Sequence, residues 1–130
     1  MTINGGWQAI YVAHAAFDSS RYENLTFWVN GGTSGGQRLS VWGHAGGAAQ
    51  MSVSLTPPTA NTWSQYTVSL ASIGVANRTD MDGFWIQDRS GAAQPTFYMD
   101  DITLTVIPEP STFALAGLGA AVLMIARRRR

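Results

Sequence analysis

Short runs in which every second residue is apolar, each closed by glycine, proline or asparagine, dominate the first 107 residues and limit what the chain can fold into. Leu25, Phe27 and Val29 alternate with Thr26, Trp28 and Asn30, and Leu39 and Val41 alternate with Ser40 and Trp42. Met51, Val53 and Leu55 are separated only by serines. Tyr66, Val68 and Leu70 share a side, Phe84 and Ile86 oppose Trp85 and Gln87, and Ile102, Leu104 and Val106 oppose Thr103 and Thr105. Successive side chains of a strand point to opposite faces, so each run offers one apolar face to a core. Strands are expected at residues 7–13, 25–30, 37–43, 50–55, 63–70, 83–88 and 96–107, with one helical turn near 70–73. The segment 31–36 holds four glycines, and 56–61 holds Pro57 and Pro58, so both are turns or loops. Seven short strands at a spacing of roughly ten residues predict an all-β domain, an antiparallel β-sandwich.

Charge is sparse and unevenly placed. Up to Ile107 there are four arginines (Arg21, Arg38, Arg78, Arg89) and seven acids (Asp18, Glu23, Asp80, Asp82, Asp88, Asp100, Asp101), and there is no lysine. A mildly acidic body lacks the basic stripe that nucleic-acid binding requires, so nucleic acid is not expected as a partner. The absence of cysteine excludes disulfides, thiol nucleophiles and thiolate metal sites.

The character of the chain changes at residue 108. Pro108, Glu109, Pro110, Ser111 and Thr112 form a stiff extended stretch, because each proline fixes its own backbone angle and biases the residue before it. Ser111 or Thr112 is placed to cap a helix. Residues 113–126 are fourteen without a charge, and Arg127, Arg128, Arg129 and Arg130 close the chain. As a helix that segment spans about 21 Å, short of a hydrocarbon core of roughly 30 Å. Length alone suits a buried core helix. The apolar character all round and the terminal arginines suit a short transmembrane helix with a cytoplasmic C-terminus.

With these three parts in order at the chain end, residues 107–130 resemble the PEP-CTERM sorting signal. That resemblance implies an exported protein of a Gram-negative bacterium that makes exopolysaccharide. It implies an exosortase, an integral-membrane transpeptidase, as partner. The helix would then hold the chain at the inner membrane only in transit, before cleavage near Pro108 to Pro110 and passage to the cell surface or extracellular matrix. Two regions are therefore expected, a β-domain at 1–107 and a sorting signal at 108–130. Residues 1–7 show no positive n-region, no apolar h-region and no cleavage site. The expectation is that the chain begins part-way into a longer protein.

The body carries a less specific resemblance. Leu25-Thr-Phe-Trp-Val-Asn-Gly-Gly, Gly35-Gly-Gln-Arg-Leu, Trp63-Ser-Gln-Tyr-Thr-Val-Ser-Leu and Phe97-Tyr-Met-Asp-Asp-Ile-Thr-Leu are similar to a galactose-binding-like jelly roll. Many carbohydrate-binding modules share that fold. The similarity runs over about residues 9–106 and lacks the first strand of the fold. It implies an antiparallel jelly-roll sandwich that binds polysaccharide, with exopolysaccharide as the partner. Because such folds host several roles, two other readings stand beside it: a structural or adhesin matrix component without a defined ligand, and an accessory domain of a truncated secreted enzyme acting on glycosides.

Catalysis is not expected. Asp100 and Asp101 are adjacent on a strand and point to opposite faces, so they cannot flank one glycosidic bond. Asp80 and Asp82 show no partner, His14 and His44 lie in different segments, and no serine sits in a nucleophile elbow. The turn at 31–36 lacks the lysine and following helix of a phosphate loop. For binding, Trp28 and Trp42 on neighbouring strands, together with Trp85, face away from the core. Their rings can stack on sugars, or be covered by loops, a further strand or a partner domain. Trp63 is expected to pack where its strand begins. For Asp100 and Asp101 the jelly-roll resemblance implies a structural calcium, the one cofactor expected. One carboxylate with backbone carbonyls suits that hard cation; a carboxylate satisfying turn amides is the alternative.

Overall fold

The computed structural model describes residues 1–107. Seven strands follow one another: β1 (Ala9–Phe17), β2 (Tyr22–Asn30), β3 (Leu39–Ala45), β4 (Ala48–Ser54), β5 (Trp63–Ser69), β6 (Met81–Asp88) and β7 (Tyr98–Val106). They form two antiparallel sheets, one of four strands in the order β1-β6-β3-β4 and one of three in the order β5-β2-β7. The expected all-β sandwich is therefore present. The predicted C-terminal helix lies outside the described residues. Within these residues only β3 to β4 joins neighbours in one sheet; every other connection crosses from one sheet to the other.

Alternation decides which residues meet between the sheets. Leu25, Phe27 and Val29 of β2 face Leu39 and Val41 of β3 and Phe84 and Ile86 of β6, and all are 5% exposed or less. Burying one side chain of this size contributes about 1.5–3 kcal/mol. The connection after β5 is drawn in as well. Leu70, Ile73 and Val75 are fully buried there. They sit in a series of turns closed by Ser72 N–H to Ser69 O, Gly74 N–H to Ala71 O and Val75 N–H to Leu70 O, and the expected single helical turn is this set of turns.

Two departures from simple alternation have a common cause. In β4, Trp42 pairs with Ser52 but His44 pairs with Ala49, so one extra residue bulges out of β4. Met51 falls at that bulge and is 60% exposed rather than buried beside Val53 and Leu55. In β7, Thr103 pairs with Thr26 while Asp100 pairs with Trp28, again one residue too many. Asp101 takes up the excess with φ +49°. A bulge flips the side-chain phase on either side of it. Leu104 and Met99 thus both pack on the core although they are five positions apart, which in an unbroken strand would put them on opposite faces. Val106 is 64% exposed and Ile102 40%, so the inward row expected for this strand holds only at Leu104.

The glycine-rich turn at 31–36 is a structural element. A Cβ at Gly31 would stand 2.6 Å from Thr59 O, and one at Gly35 (φ +63°) 2.5 Å from Ala60 N, so the turn packs backbone to backbone on the loop before β5. Buried Gln37 donates through Nε2 to Gly31 O at 2.8 Å and fixes the turn.

Candidate functional site

The outer face of the four-stranded sheet is built from residues that alternate with the core set. Tyr11 on β1 pairs with Trp85 on β6, Trp85 pairs with Trp42 on β3, and Trp42 pairs with Ser52 on β4. A row of three aromatic side chains therefore crosses three adjacent strands, at strand spacings of about 4.8 Å. Both tryptophans are half-buried. Their indole Nε1 atoms are buried and have no hydrogen-bond partner among the described residues, so the accessible part of each ring is carbon. Next to the row, Ser40, Gln87 and Ser54 occupy the same face.

One flank of the row is polar. His44, 8% exposed, brings Nδ1 to 2.5 Å from Asp82 Oδ1. The Tyr11 hydroxyl lies 2.8 Å from the same nitrogen and 3.4 Å from Asp82 O. Gly47 N–H donates to Asp82 Oδ2 at 3.0 Å. With Nδ1 donating to Asp82, the hydrogen bond from His44 holds the Asp82 carboxyl below the usual carboxylate range, and the Gly47 amide adds to this. Desolvation and the nearby Asp82 carboxylate push the Tyr11 phenol up. The rings pack as a cluster: Tyr11 and His44 centroids are 4.7 Å apart, His44 and Trp85 5.5 Å, Tyr11 and Trp85 6.1 Å edge to face. Gly83 makes the room, since a Cβ there would lie 2.7 Å from Tyr11 Cε2 and 2.3 Å from Val12 O.

The structure separates the tryptophans singled out from the sequence. Trp42 and Trp85 are cross-strand partners. Trp28 is on β2, in the other sheet, and faces outward on the opposite side of the sandwich. The strands that carry Trp28 and Trp42 are consecutive in the chain without being neighbours in a sheet. Trp63 does not pack where β5 begins; it is 46% exposed. Asp80 and Asp82 each have a partner after all, Asp80 in a two-pronged pair with Arg78 (2.8 Å to each oxygen) and Asp82 with His44. His14 stays apart from His44, its Nδ1 beside Ala15 O.

Asp100 and Asp101 are both exposed. Asp100 Oδ1 accepts the amide N–H of Asp101 at 2.9 Å, at the bulge. Among the described residues no set of three or more His, Asp or Glu side chains gathers as a metal site. An open crevice of about 610 Å³ lies between the sheet edges, lined by Val12, Phe17, Tyr22, Ile102 and Leu104 among others, and it is mainly apolar.

Tyr11, His44 and Asp82 were not legible as site residues from the sequence. His44 and Asp82 are 38 positions apart, and no spacing rule connects them. The one available signal was that Tyr11 falls in the outward phase of the first strand.

Comparison with known proteins adds three findings. Residues 106–130 match the PEP-CTERM protein-sorting motif, so the chain carries at its C-terminus a signal that marks an exported, surface-sorted protein. Among curated proteins, an endoglucanase of Dictyostelium discoideum is 33% identical over 95 residues; the match takes in 68% of this chain and 13% of the relative. The β-sandwich matches family 11 carbohydrate-binding modules in structure. One is the module from Clostridium thermocellum in complex with a β-1,3-1,4-mixed-linked tetrasaccharide, with TM-score 0.63 and 12% identity over 83% of this chain and 75% of that one. Another is the module of the cellulosomal cellulase Lic26A-Cel5E of the same organism, with TM-score 0.62 and 11% identity over 85% and 75%. At such identities the likeness is one of fold.

Proposed function

We propose that this chain is a non-catalytic polysaccharide-binding protein, exported by a Gram-negative bacterium and handed by its tail to an exosortase. The reading of the β-domain rests on one observation above all, the aromatic row Tyr11–Trp85–Trp42 across the outer face of the four-stranded sheet. Flat carbon surfaces of this kind stack on the apolar faces of pyranose rings. Asp82, held in place by His44 and Gly47, supplies an acceptor on one flank of the row for sugar hydroxyls, and half-buried Gln87 supplies a polar contact on the other flank. A few fixed polar groups around an apolar floor are what orients a ligand. The fold is shared with a module held in complex with a β-1,3-1,4-mixed-linked tetrasaccharide, so a soluble mixed-linkage β-glucan is the first ligand to try.

Affinity electrophoresis of the full-length chain in gels containing soluble mixed-linkage β-glucan tests this. The wild type is expected to be retarded, and Trp85→Ala or Trp42→Ala is expected to weaken binding at least tenfold. Unchanged retardation of both variants would remove the four-stranded face from consideration. No retardation on this or any other glycan of a neutral set favours a structural matrix component.

A second reading has its own observation. The curated relative is an endoglucanase of which the chain covers 13%. An accessory domain beside a glycoside-acting catalytic unit uses the same face for the same purpose, and release of reducing sugar by the native gene product would distinguish it.

A further inference from the structure

We propose that the outer face of the three-stranded sheet is a second glycan site, facing away from the first, and that its occupant is an extended, uncharged β-linked polysaccharide. The face is a grid fixed by register. Trp63, Asn30 and Tyr98 lie abreast across β5, β2 and β7; the next row is Gln65, Trp28 and Asp100, and the next Thr67, Thr26 and Thr103. Trp63 is 46% exposed and Tyr98 52%, Trp28 in the next row of the central strand is half-buried, and Gln65 and Asp100 are exposed. Below them Thr26 Oγ1 and Thr103 Oγ1 are 2.7 Å apart, which ties β2 to β7.

The dimensions suit a polymer. Trp63 and Tyr98 flank Asn30 at two strand spacings, roughly 10 Å, about the length of two pyranoses in an extended β-linked chain. Trp28 sits one row along, about 7 Å away. Amide and carboxylate groups at Gln65 and Asp100 lie on either side of it, within reach of hydroxyls. Asp100 is the one charge in these rows, and no cation stands among them, so a polyanion is disfavoured. The face also depends on the β7 bulge. Without the extra residue at Asp101, the phase set by Thr103 would turn Asp101 and Met99 outward; with it, Asp100 and Tyr98 face out beside Trp28 and Asn30. Bulges recur where a side chain is re-aimed for use.

With the face proposed above also occupied, one domain would hold two polysaccharide segments on opposite sides and bridge them; this bridging rests on that reading, whereas the second site does not. Calorimetry of the full-length chain with the mixed-linked tetrasaccharide separates the two. Two sites per chain are expected. Trp63→Ala with Tyr98→Ala is expected to leave one, and Trp85→Ala the other. With the long polymer, loss of either face is expected to abolish clouding and to weaken binding at least tenfold, as for any two-point attachment. If all binding survives in the Trp63/Tyr98 variant, the proposal is overturned. If all binding disappears with Trp63 and Tyr98 and none with Trp85, this site stands and the first face fails. No binding by the wild type overturns both. Should the free chain dimerise through Trp63 and Tyr98, with glycan stoichiometry unmoved, the face is a contact between copies and the proposal falls. Both side chains lie outside the core, so the melting temperature is expected to hold; if the double variant unfolds, Gln65→Ala and Trp63→Gln take its place with the same readouts.

Discussion

Asp88 at the end of β6 accepts the backbone N–H of Trp7 at 3.0 Å, which joins the N-terminal turn to a strand 81 positions away. The same carboxylate accepts from Ser90 N–H at 2.8 Å, Ser90 Oγ at 2.7 Å, Gly91 N–H at 2.9 Å and Gln94 Nε2 at 2.8 Å. The residue is fully buried. Burial raises its pKa, but the hydrogen bonds outweigh burial and hold it at about 2 against an ordinary 3.8. The folded-state value is the lower one, so the stabilisation is complete above pH ~4 and disappears as pH falls towards 2. Its size is about 2 kcal/mol. Asp80 and Asp82 are shifted the same way, Asp80 by Arg78 and Asp82 by His44, so they add to the trend. Urea unfolding midpoints measured between pH 7 and pH 2 should fall mainly below pH 4. In Asp88→Asn that fall should be smaller and the midpoint at pH 7 already reduced. A wild-type midpoint that is flat down to pH 2 would contradict this assignment.

Phe27 anchors the core from the three-stranded side. It is fully buried and stacks on Tyr66, with ring centroids 5.8 Å apart and planes at 11°. Phe27→Ala removes that contact and leaves a cavity between the sheets. The expected loss is about 3–5 kcal/mol, read from chemical denaturation. A loss below about 1 kcal/mol would mean that the sheets close over the gap.

How much of this was legible in advance follows from what alternation encodes. A period of two between glycine and proline turns reports strands and their inner faces, and so Leu25, Phe27, Val29, Leu39, Val41, Phe84 and Ile86 were all readable as core. Strand order is a non-local property. Alternation therefore carried no information that β2 and β3 belong to different sheets, or that Trp42 meets Trp85. Bulges are equally silent. Asp101 in a left-handed conformation reverses the phase of β7 and turns Tyr98 outward, and the β4 bulge exposes Met51. The polar cluster of Tyr11, His44 and Asp82 forms only once β1, β3 and β6 are adjacent.

Gly43 in the middle of β3 is a steric requirement between Trp42 and His44. A Cβ there would stand 2.3 Å from Ile73 O and 2.6 Å from Val75 Cγ1, in the buried connection that seals the core. Backbone oxygen cannot be displaced as a flexible side-chain end can. Gly43→Ala is expected to cost about 1–3 kcal/mol, a drop in melting temperature of about 4–8 °C per kcal/mol for a domain of this size. Because Trp42 and His44 flank the position, glucan affinity should fall with it. An unchanged melt would show that the 73–75 segment moves aside freely.

The tail supplies a prediction in the cell. Residues 106–130 match the sorting motif, and the matched stretch contains Pro108, Glu109, Pro110 and the four terminal arginines. From the sequence, a proline-flanked glutamate is expected to suit a transpeptidase that needs an extended peptide, since neither proline can donate to a sheet and each disfavours helix at the residue before it. If helical, the fourteen apolar residues would span about 21 Å, short for a permanent anchor in a core of roughly 30 Å. A removable address is the role that length suits. Replacing Pro108, Glu109 and Pro110 by alanine should leave the folding of 1–107 intact, because β7 ends at Val106. It should stop processing, so that mass spectrometry finds the 113–126 segment still attached and the chain in the membrane fraction. Serine at Arg127, Arg128, Arg129 and Arg130 removes the charge that the positive-inside rule expects to hold a C-terminus on the cytoplasmic side; the same uncleaved chain is expected, now with part of it fully translocated. Normal maturation of both variants in a strain that carries the transpeptidase would show that the tail is handled by another route.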